Sequence, residues 1–123
     1  METINPVFRK VDDFIQDLYT KPDAALVDAI RRSKEEGLPE INVSPNEGKI
    51  LFMLAKICGA KRILEIGLLG GYSTIWLARA VPENGIVVSL EILDKHAERR
   101  RWGGSGNAGL SNRRQRIHTQ HEC

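Results

Sequence analysis

The sequence predicts an α/β protein in which N-terminal helices precede the first strand–helix–strand part of a parallel sheet that stays incomplete. Three observations support this fold class. Apolar residues recur at helical spacing through residues 1–60. Two short apolar runs follow, at 62–66 and 86–90, with a helical segment between them. A glycine-rich turn joins the first run directly to that helix, which is typical of a βαβ unit.

Composition sets limits on the class of protein. The chain has 123 residues, enough for one domain, and a formal net charge of +2, too small to indicate a nucleic-acid partner. Cys58 and Cys123 provide no disulfide framework, and Cys58 lies in an apolar helical pattern, which favours a reducing compartment. No signal peptide and no membrane-spanning apolar run is found. We therefore expect a cytoplasmic protein without membrane contact.

Capping signals place three helices in the N-terminal extension, residues 1–60. Asn5-Pro6 reads as an N-cap with proline at the first helical position. The segment 20–23 indicates a second start, and Gly37 a stop. Ser44 and Glu47 form a capping-box pattern, and Gly59 ends the third helix.

Residues 61–98 are predicted to form the partial cofactor-binding core. Arg62–Ile66 is short and continuously apolar, so we interpret it as a buried parallel strand and not as an exposed edge. Ser73–Ala80 supplies the crossover helix, and Pro82–Gly85 makes the return turn. Ile86–Leu90 is the second strand.

Residues 99–123 form a basic, glycine-rich tail that we expect to be poorly ordered, with at most a fragment of a further strand. Trp102 is its only aromatic residue, so a solvated tail is favoured over a nucleic-acid surface. His118, His121 and Cys123 have spacing that suits zinc, but they lack a fourth ligand and a structured frame. A polar tail is the preferred interpretation.

The turn and the second strand together indicate a nucleoside-containing cofactor. Glycines at 67, 70 and 71 follow the first strand, and Glu91 ends the second. A carboxylate at that position is placed to accept hydrogen bonds from two ribose hydroxyls, and the separation is close to the roughly 20 residues typical of such pairs. Leu68 stands where a dinucleotide site needs its middle glycine, which favours S-adenosylmethionine. The alternative is that the glycines only close a tight strand–helix connection.

Three separated motifs resemble the catechol/caffeoyl-CoA type of S-adenosylmethionine-dependent O-methyltransferases. They are Ser44-Pro45 with the helix 48–54, Leu64–Gly67 with Gly70–Ser73, and Ser89–Ile92. The resemblance covers roughly residues 5 to 98. It implies a Rossmann-like class I methyltransferase fold that is truncated at its C-terminal side.

The resemblance also implies roles for individual residues. Val43 contacts the cofactor from the segment ahead of the core, Gly67 and Ser73 hold its aminoacyl end, and Tyr72 lies near the sulfonium. Glu91 binds the ribose, and Glu65 supports the loop. For Tyr72 the alternative is packing as an aromatic residue at a helix start. For Val43 it is a hydrophobic staple ahead of the Ser44 cap.

Two departures from the family pattern concern the loop and the ribose site: Leu68 replaces a usual threonine, and Leu93 stands where an acid usually follows. The family's divalent metal of the Mg²⁺ type, its acidic ligands and its general-base lysine belong to a second half that this sequence does not contain. After Glu98 the only acid is Glu122. We therefore expect no catalytic residues and no metal ligands of the family's type here.

These observations favour an O-methyltransferase that acts on a small catechol-like or phenolic hydroxyl acceptor. We expect it to be inactive or impaired as this truncated chain and to form a homo-oligomer. A non-catalytic cofactor-binding or protein-interaction half-domain is the alternative, and a nucleotide-binding fragment is a weaker one. Segments 108–113 and 117–119 again resemble the family, whereas 99–106 does not. A local reading-frame slip accounts for that pattern, and translation of the other two frames of the gene tests it.

Overall fold

The computed structural model describes residues 5–92 and the backbone of residues 114–119. The elements follow the order helix, helix, helix, strand, helix, strand, strand. They are α1 (Pro6–Tyr19), α2 (Ala24–Glu35), α3 (Pro45–Ile57), β1 (Arg62–Ile66), α4 (Tyr72–Ala80), β2 (Ile86–Glu91) and β3 (Arg114–Thr119).

Side chains cap the first three helices, largely as their sequences predict. Asn5 accepts a hydrogen bond from the Val7 amide and begins α1. The cap of α2 is Asp23, which accepts from the Leu26 amide. At α3 the capping box is complete: the Glu47 amide donates to Ser44 Oγ at 3.2 Å, and the Ser44 amide donates to Glu47 Oε2 at 2.6 Å.

The strands form a parallel sheet in the order β1-β2-β3. Arg62 pairs with Ile86 and Ile66 with Leu90, so β1 and β2 run in the same direction with their carboxyl ends at one edge. β3 pairs in parallel with β2 from Ile86–Arg114 to Glu91–Thr119. Helices followed by an incomplete parallel sheet confirm the predicted fold class.

One sequence expectation needs correction. β1 is not a buried strand: it lies at the edge of the described sheet, and its Leu64 and Ile66 side chains are 63% and 83% exposed. Among the described residues, α3 and α4 cover only the face that carries Ile63 and Glu65. Residues 114–119 supply a short further strand, which pairs with β2; backbone hydrogen bonds do not require apolar side chains. The other tail residues lie outside the described part of the chain.

The core lies between α4 and its neighbours. One buried cluster joins α2 to α4 through Leu26, Ala29, Tyr72, Ile75 and Trp76, and a second joins α4 to β2 through Leu77, Ala78, Val81 and Val87. α3 packs closely on α4 because Gly48 has no side chain. A Cβ at Gly48 would lie 2.4 Å from Trp76 Cδ1.

Two further observations concern Cys58 and the length of the helices. Cys58, the cap at the end of α3, is an exposed free thiol. Within residues 5–92, no helix combines the length and the apolar character needed to cross a bilayer.

Candidate cofactor site

The turn between β1 and α4 lies at the carboxyl edge of the sheet. Gly67 has φ +88°, a left-handed conformation that favours glycine, and its amide donates to the Leu90 carbonyl at 2.8 Å. Leu69 also has a positive φ, +44°, which is uncommon for a residue with a side chain. Gly71, at φ +72°, is the N-cap of α4. The loop is therefore a fixed turn pinned to the end of β2.

Glu91 holds this loop from the neighbouring strand. The side chain is 6% exposed, and its Oε2 accepts hydrogen bonds from the Leu68 and Leu69 amides, each at 3.0 Å. Because β1 and β2 are parallel, the carboxylate and the glycine-rich turn meet at one end of the sheet. The structure thus brings Gly67 and Glu91 together.

Glu65 connects three elements below the loop. Its Oε1 accepts from Ser73 Oγ at 2.6 Å, and its Oε2 accepts from Thr74 Oγ1 at 2.6 Å and from Ser89 Oγ at 2.5 Å. The Glu65 side chain is buried, at 9% exposure. This network fixes the first turn of α4 against β1 and β2, so the structure gives Glu65 a supporting position under Ser73.

The N-terminus of α4 has no side-chain cap in the described structure. The first-turn amides of a helix have no intrahelical acceptor. The carboxylate of Glu65, which accepts hydrogen bonds from the hydroxyls of the second and third helical residues, lies near this positive end and complements the helix dipole. The amides of the first turn remain the donors that the turn presents at the edge.

Tyr72 is buried in the helical core. It is the first residue of α4, it is 4% exposed, and it belongs to the cluster with Leu26 and Trp76. Burial raises the pKa of the Tyr72 phenol. This packing supports the alternative of a helix-start aromatic residue, at least for the body of the ring.

Val43 packs against the same cluster as Tyr72. The staple interpretation is wrong, because the fourth helical position of α3 is Gly48, which has no side chain to meet it. Val43 thus enters the core directly from the segment ahead of α3, on the side where Tyr72 begins α4.

The segments that form the turn and the end of β2 carry only acidic charge. Glu65 and Glu91 are both buried, and the segments 63–78 and 86–92 contain no lysine, arginine or histidine. Within the described residues, no three acidic, histidine or cysteine side chains come together as a metal-binding group. His121 and Cys123 lie outside the described residues, as does the side chain of His118.

Sequence reasoning did not assign Thr74 or Ser89 to the site. Both donate hydrogen bonds to Glu65, and Glu65 pairs with Ser89 in the sheet register. Aligning the two strands by their apolar runs would have placed Glu65 beside Ser89 on one face. The contact of Thr74 required the orientation of α4, which no local pattern supplies.

Comparison with known proteins defines the class. Residues 16–104 match the family model described as O-methyltransferase. The chain is 53% identical over 93 residues to a catechol O-methyltransferase of Niastella koreensis, covering 76% of this chain and 42% of that protein. A catechol O-methyltransferase of Mycobacterium tuberculosis is 49% identical over 88 residues, with 72% and 40% covered.

Solved structures agree with the sequence relatives. An O-methyltransferase from Bacillus cereus in complex with SAH superposes with a TM-score of 0.78 at 41% identity, covering 89% of this chain and 49% of that one. The O-methyltransferase TomG from Streptomyces achromogenes, in complex with SAM, gives 0.77 at 38% identity, with 94% and 52% covered.

The fold is therefore an incomplete class I methyltransferase fold. The chain belongs to the O-methyltransferase family. It spans about half the length of the relatives that it matches, or somewhat less.

Proposed function

We propose that this chain binds S-adenosylmethionine where β1 gives way to α4. The observation that carries the proposal is the placement of the buried Glu91 carboxylate directly beside the Gly67–Gly71 turn. A carboxylate at the end of the second parallel strand suits the two ribose hydroxyls of a nucleoside. Relatives with SAH and SAM in their structures share this fold at 41% and 38% identity.

The remaining predicted residues surround the methionine part of the cofactor in the proposal. Gly67 and Ser73 lie at the turn and at the first turn of α4, where they hold the aminoacyl end. Tyr72 lies near the sulfonium, and Val43, which packs in the same cluster as Tyr72, contacts the cofactor from the segment ahead of α3. Glu65 acts from below by fixing Ser73.

A methyl donor suits the turn better than a dinucleotide. Counted from Gly67, the middle glycine of the dinucleotide motif falls at Leu69 and not at Leu68, and the half-buried Leu69 side chain restricts the approach of the backbone to a pyrophosphate. A pyrophosphate would also face two carboxylates across segments that contain no basic residue. A sulfonium with an ammonium group has the opposite charge and avoids this repulsion.

The reaction we propose for the whole family domain is methyl transfer to a hydroxyl of a small catechol-like or phenolic acceptor. Two relatives named catechol O-methyltransferase support this acceptor class. A divalent metal of the Mg²⁺ type would help to position and deprotonate that hydroxyl. We propose that these 123 residues alone bind the cofactor weakly and do not turn over, because they span only 42% of the first relative.

Titration calorimetry with S-adenosylhomocysteine tests the cofactor site. Glu91→Gln keeps an oxygen that accepts from the loop amides but loses the charged acceptor for ribose, so affinity falls about tenfold. Glu83→Gln is the matched control, because Glu83 is exposed in the turn before β2, at the opposite edge of the sheet. Equal affinities for wild type and Glu91→Gln would overturn the ribose assignment. Methylation of a catechol by the purified chain would contradict the proposed lack of turnover.

A second candidate, an interaction half-domain, is favoured by the uncovered edge of the sheet. Leu64 and Ile66 are exposed on β1, which pairs on one side only within the described sheet. Unpaired strand edges are templates for association with another chain. Sedimentation over a concentration series tests this second candidate. A chain that self-associates but shows no binding of S-adenosylhomocysteine in calorimetry favours the second candidate over the first.

A further inference from the structure

Helix α1 turns its polar side toward the rest of the chain and its apolar side outward. Asn46 of α3 donates two hydrogen bonds to Asp12, at the carbonyl and at Oδ1, each 3.0 Å long. The hydroxyl of Thr20, the C-cap of α1, is buried and donates to Asn46 Oδ1 at 3.2 Å. The opposite side carries the α1 seam, four exposed apolar residues spaced by four, three and four positions: Val7, Val11, Phe14 and Leu18. This spacing is typical of a helix that packs lengthwise against another helix.

The two flanks of the α1 seam match a second copy of the same helix. Lys10 and Asp17 lie two turns apart on one flank, and neither forms an ion pair with another described residue. When two such helices lie antiparallel across a two-fold axis, Lys10 of each faces Asp17 of the other. On the other flank Phe8 then faces Ile15, so apolar surface meets apolar surface. A parallel pair would instead set Lys10 against Ile15, so the charges select the antiparallel arrangement.

We propose that the α1 seam is the contact surface for a second copy of this chain, paired antiparallel with the first. The occupant of this surface must supply an apolar stripe, an acid opposite Lys10 and a base opposite Asp17, and α1 itself has these features in the required order. A membrane surface fits less well, because helices that lie on membranes are rich in lysine and arginine. α1 has three aspartates and two basic residues.

The size of the contact predicts a weak dimer. α1 has 14 residues, about four turns, and one pair of such helices buries less than the roughly 1,200 Å² at which standard interfaces begin. The chain is therefore a monomer at the low concentrations used for unfolding experiments and pairs at high concentration. The pairing does not depend on the cofactor site, which lies at the carboxyl edge of the sheet.

Sedimentation equilibrium of charge-reversal variants tests the pairing. Every chain carries Ile66→Lys, so that association through β1 is suppressed, and the chain with this change alone is the parent. Lys10→Asp leaves only acids on the charged flank and Asp17→Lys only bases, so each variant alone should dimerise about tenfold more weakly than the parent. An equimolar mixture of the two should recover the affinity of the parent, because each acid then faces a base. Asp13→Lys is the matched control: it makes the same charge change away from the α1 seam and should leave the affinity unchanged.

A second variant tests the α1 seam itself. Val11→Glu places a charge between the paired helices and should abolish dimerisation. Because Val11 is 50% exposed in the single chain, the melting temperature of the dilute variant should equal that of the dilute parent.

Each other outcome contradicts the proposal. A parent chain that stays monomeric at millimolar concentration has no such contact. A mixture that associates no better than its components, or a control as weak as the two charge variants, rules out the facing of Lys10 and Asp17. A lower melting temperature of dilute Val11→Glu would show that another part of the same chain covers the α1 seam. Binding of the parent to phosphatidylcholine vesicles, lost in Val11→Glu, would assign the surface to a membrane instead.

Discussion

Helices α4 and α1 carry apolar residues of the same kinds, yet their surroundings are opposite. Every residue of α4 except Ser73 and Arg79 is buried, although the helix has only nine residues. α1 has fourteen residues and none is buried. Its apolar side chains are exposed, with Phe8, Phe14 and Tyr19 at 66%, 65% and 68%. An apolar stripe thus identifies a surface that favours burial, but it does not show what covers that surface.

The same contrast divides the sheet. The face that carries Glu65 and Ser89 is closed by α4 and organised by hydrogen bonds, whereas Leu64 and Ile66 on the other face are exposed. Parallel sheets are normally covered on both faces. The chain spans about half the length of the relatives that it matches, and among the described residues one face of its sheet is left uncovered.

Trp76→Ala should cause the largest loss of unfolding free energy among these variants, because it removes a side chain from the packed core. The indole lies between Phe52 and the α2 side chains and is 6% exposed, so its removal should cost about 3–5 kcal/mol of unfolding free energy. Phe14→Ala on α1 is the control and should change it by less than about 0.5 kcal/mol. Urea denaturation measures both, and similar losses would show that α1 is covered after all.

Gly48→Ala tests the close packing of α3 on α4, because the sign of the change in unfolding free energy depends on that packing. In an open helix this change stabilises by about 1 kcal/mol. Here the new Cβ meets the Trp76 ring at 2.4 Å, so we expect a loss of about 1–3 kcal/mol. A gain in the urea midpoint would contradict the close approach of α3 and α4.

Asp23→Asn tests the ion pair that ties the start of α2 to the end of α4. Partial burial raises the pKa of Asp23, but the Arg79 guanidinium, 2.6 Å away, and the Leu26 amide outweigh this, so the pKa lies below 3.8. The stabilisation is therefore present above pH 3.8 and lost as the pH falls through the folded-state pKa.

Asparagine retains the N-cap, so the variant isolates the charge. Because Asp23 is 54% exposed, we expect a cost of about 0.5 kcal/mol at pH 7 that disappears near pH 2. A difference in urea midpoint that persists at pH 2 would show that the loss is not electrostatic.

Ile66→Lys should have the smallest effect on stability. The side chain is 83% exposed, so the unfolding free energy should change by less than about 0.5 kcal/mol. Self-association measured by sedimentation should fall, because a charge on an edge strand opposes pairing with another chain. A large loss of stability would show that the edge of β1 is already covered within one chain.

The sequence could predict the features that depend on contacts between residues close together in the chain. The Asn5 cap and the Ser44–Glu47 box involve neighbours in sequence, and both are present. The exposure of β1 was not predictable, because an apolar strand looks the same whether or not another element covers it. The bounds of β3 were not predictable, because its sequence, Arg-Gln-Arg-Ile-His-Thr, has little apolar character, while its pairing with β2 uses the backbone.

At the candidate site, too, some contacts were predictable from the sequence and others depended on the tertiary structure. Reasoning from parallel strands placed Gly67 and Glu91 together, and in the structure the Leu68 and Leu69 amides donate hydrogen bonds to the Glu91 carboxylate. The Glu65 network depends on Ser89 from another strand and on the orientation of α4, which lie outside any local motif. The burial of Tyr72 depends likewise on α2, which contributes Leu26 to its cluster.

Amide chemical shifts in a ¹⁵N-labelled chain, titrated with S-adenosylhomocysteine, test the central claim most directly. The account predicts that the largest shifts occur at Gly67, Leu68, Leu69 and Ser73, while the amides of α1 stay unchanged. Shifts confined to α1 or to the opposite edge of the sheet, or none at saturating ligand, would contradict a cofactor site between the glycine-rich turn and Glu91.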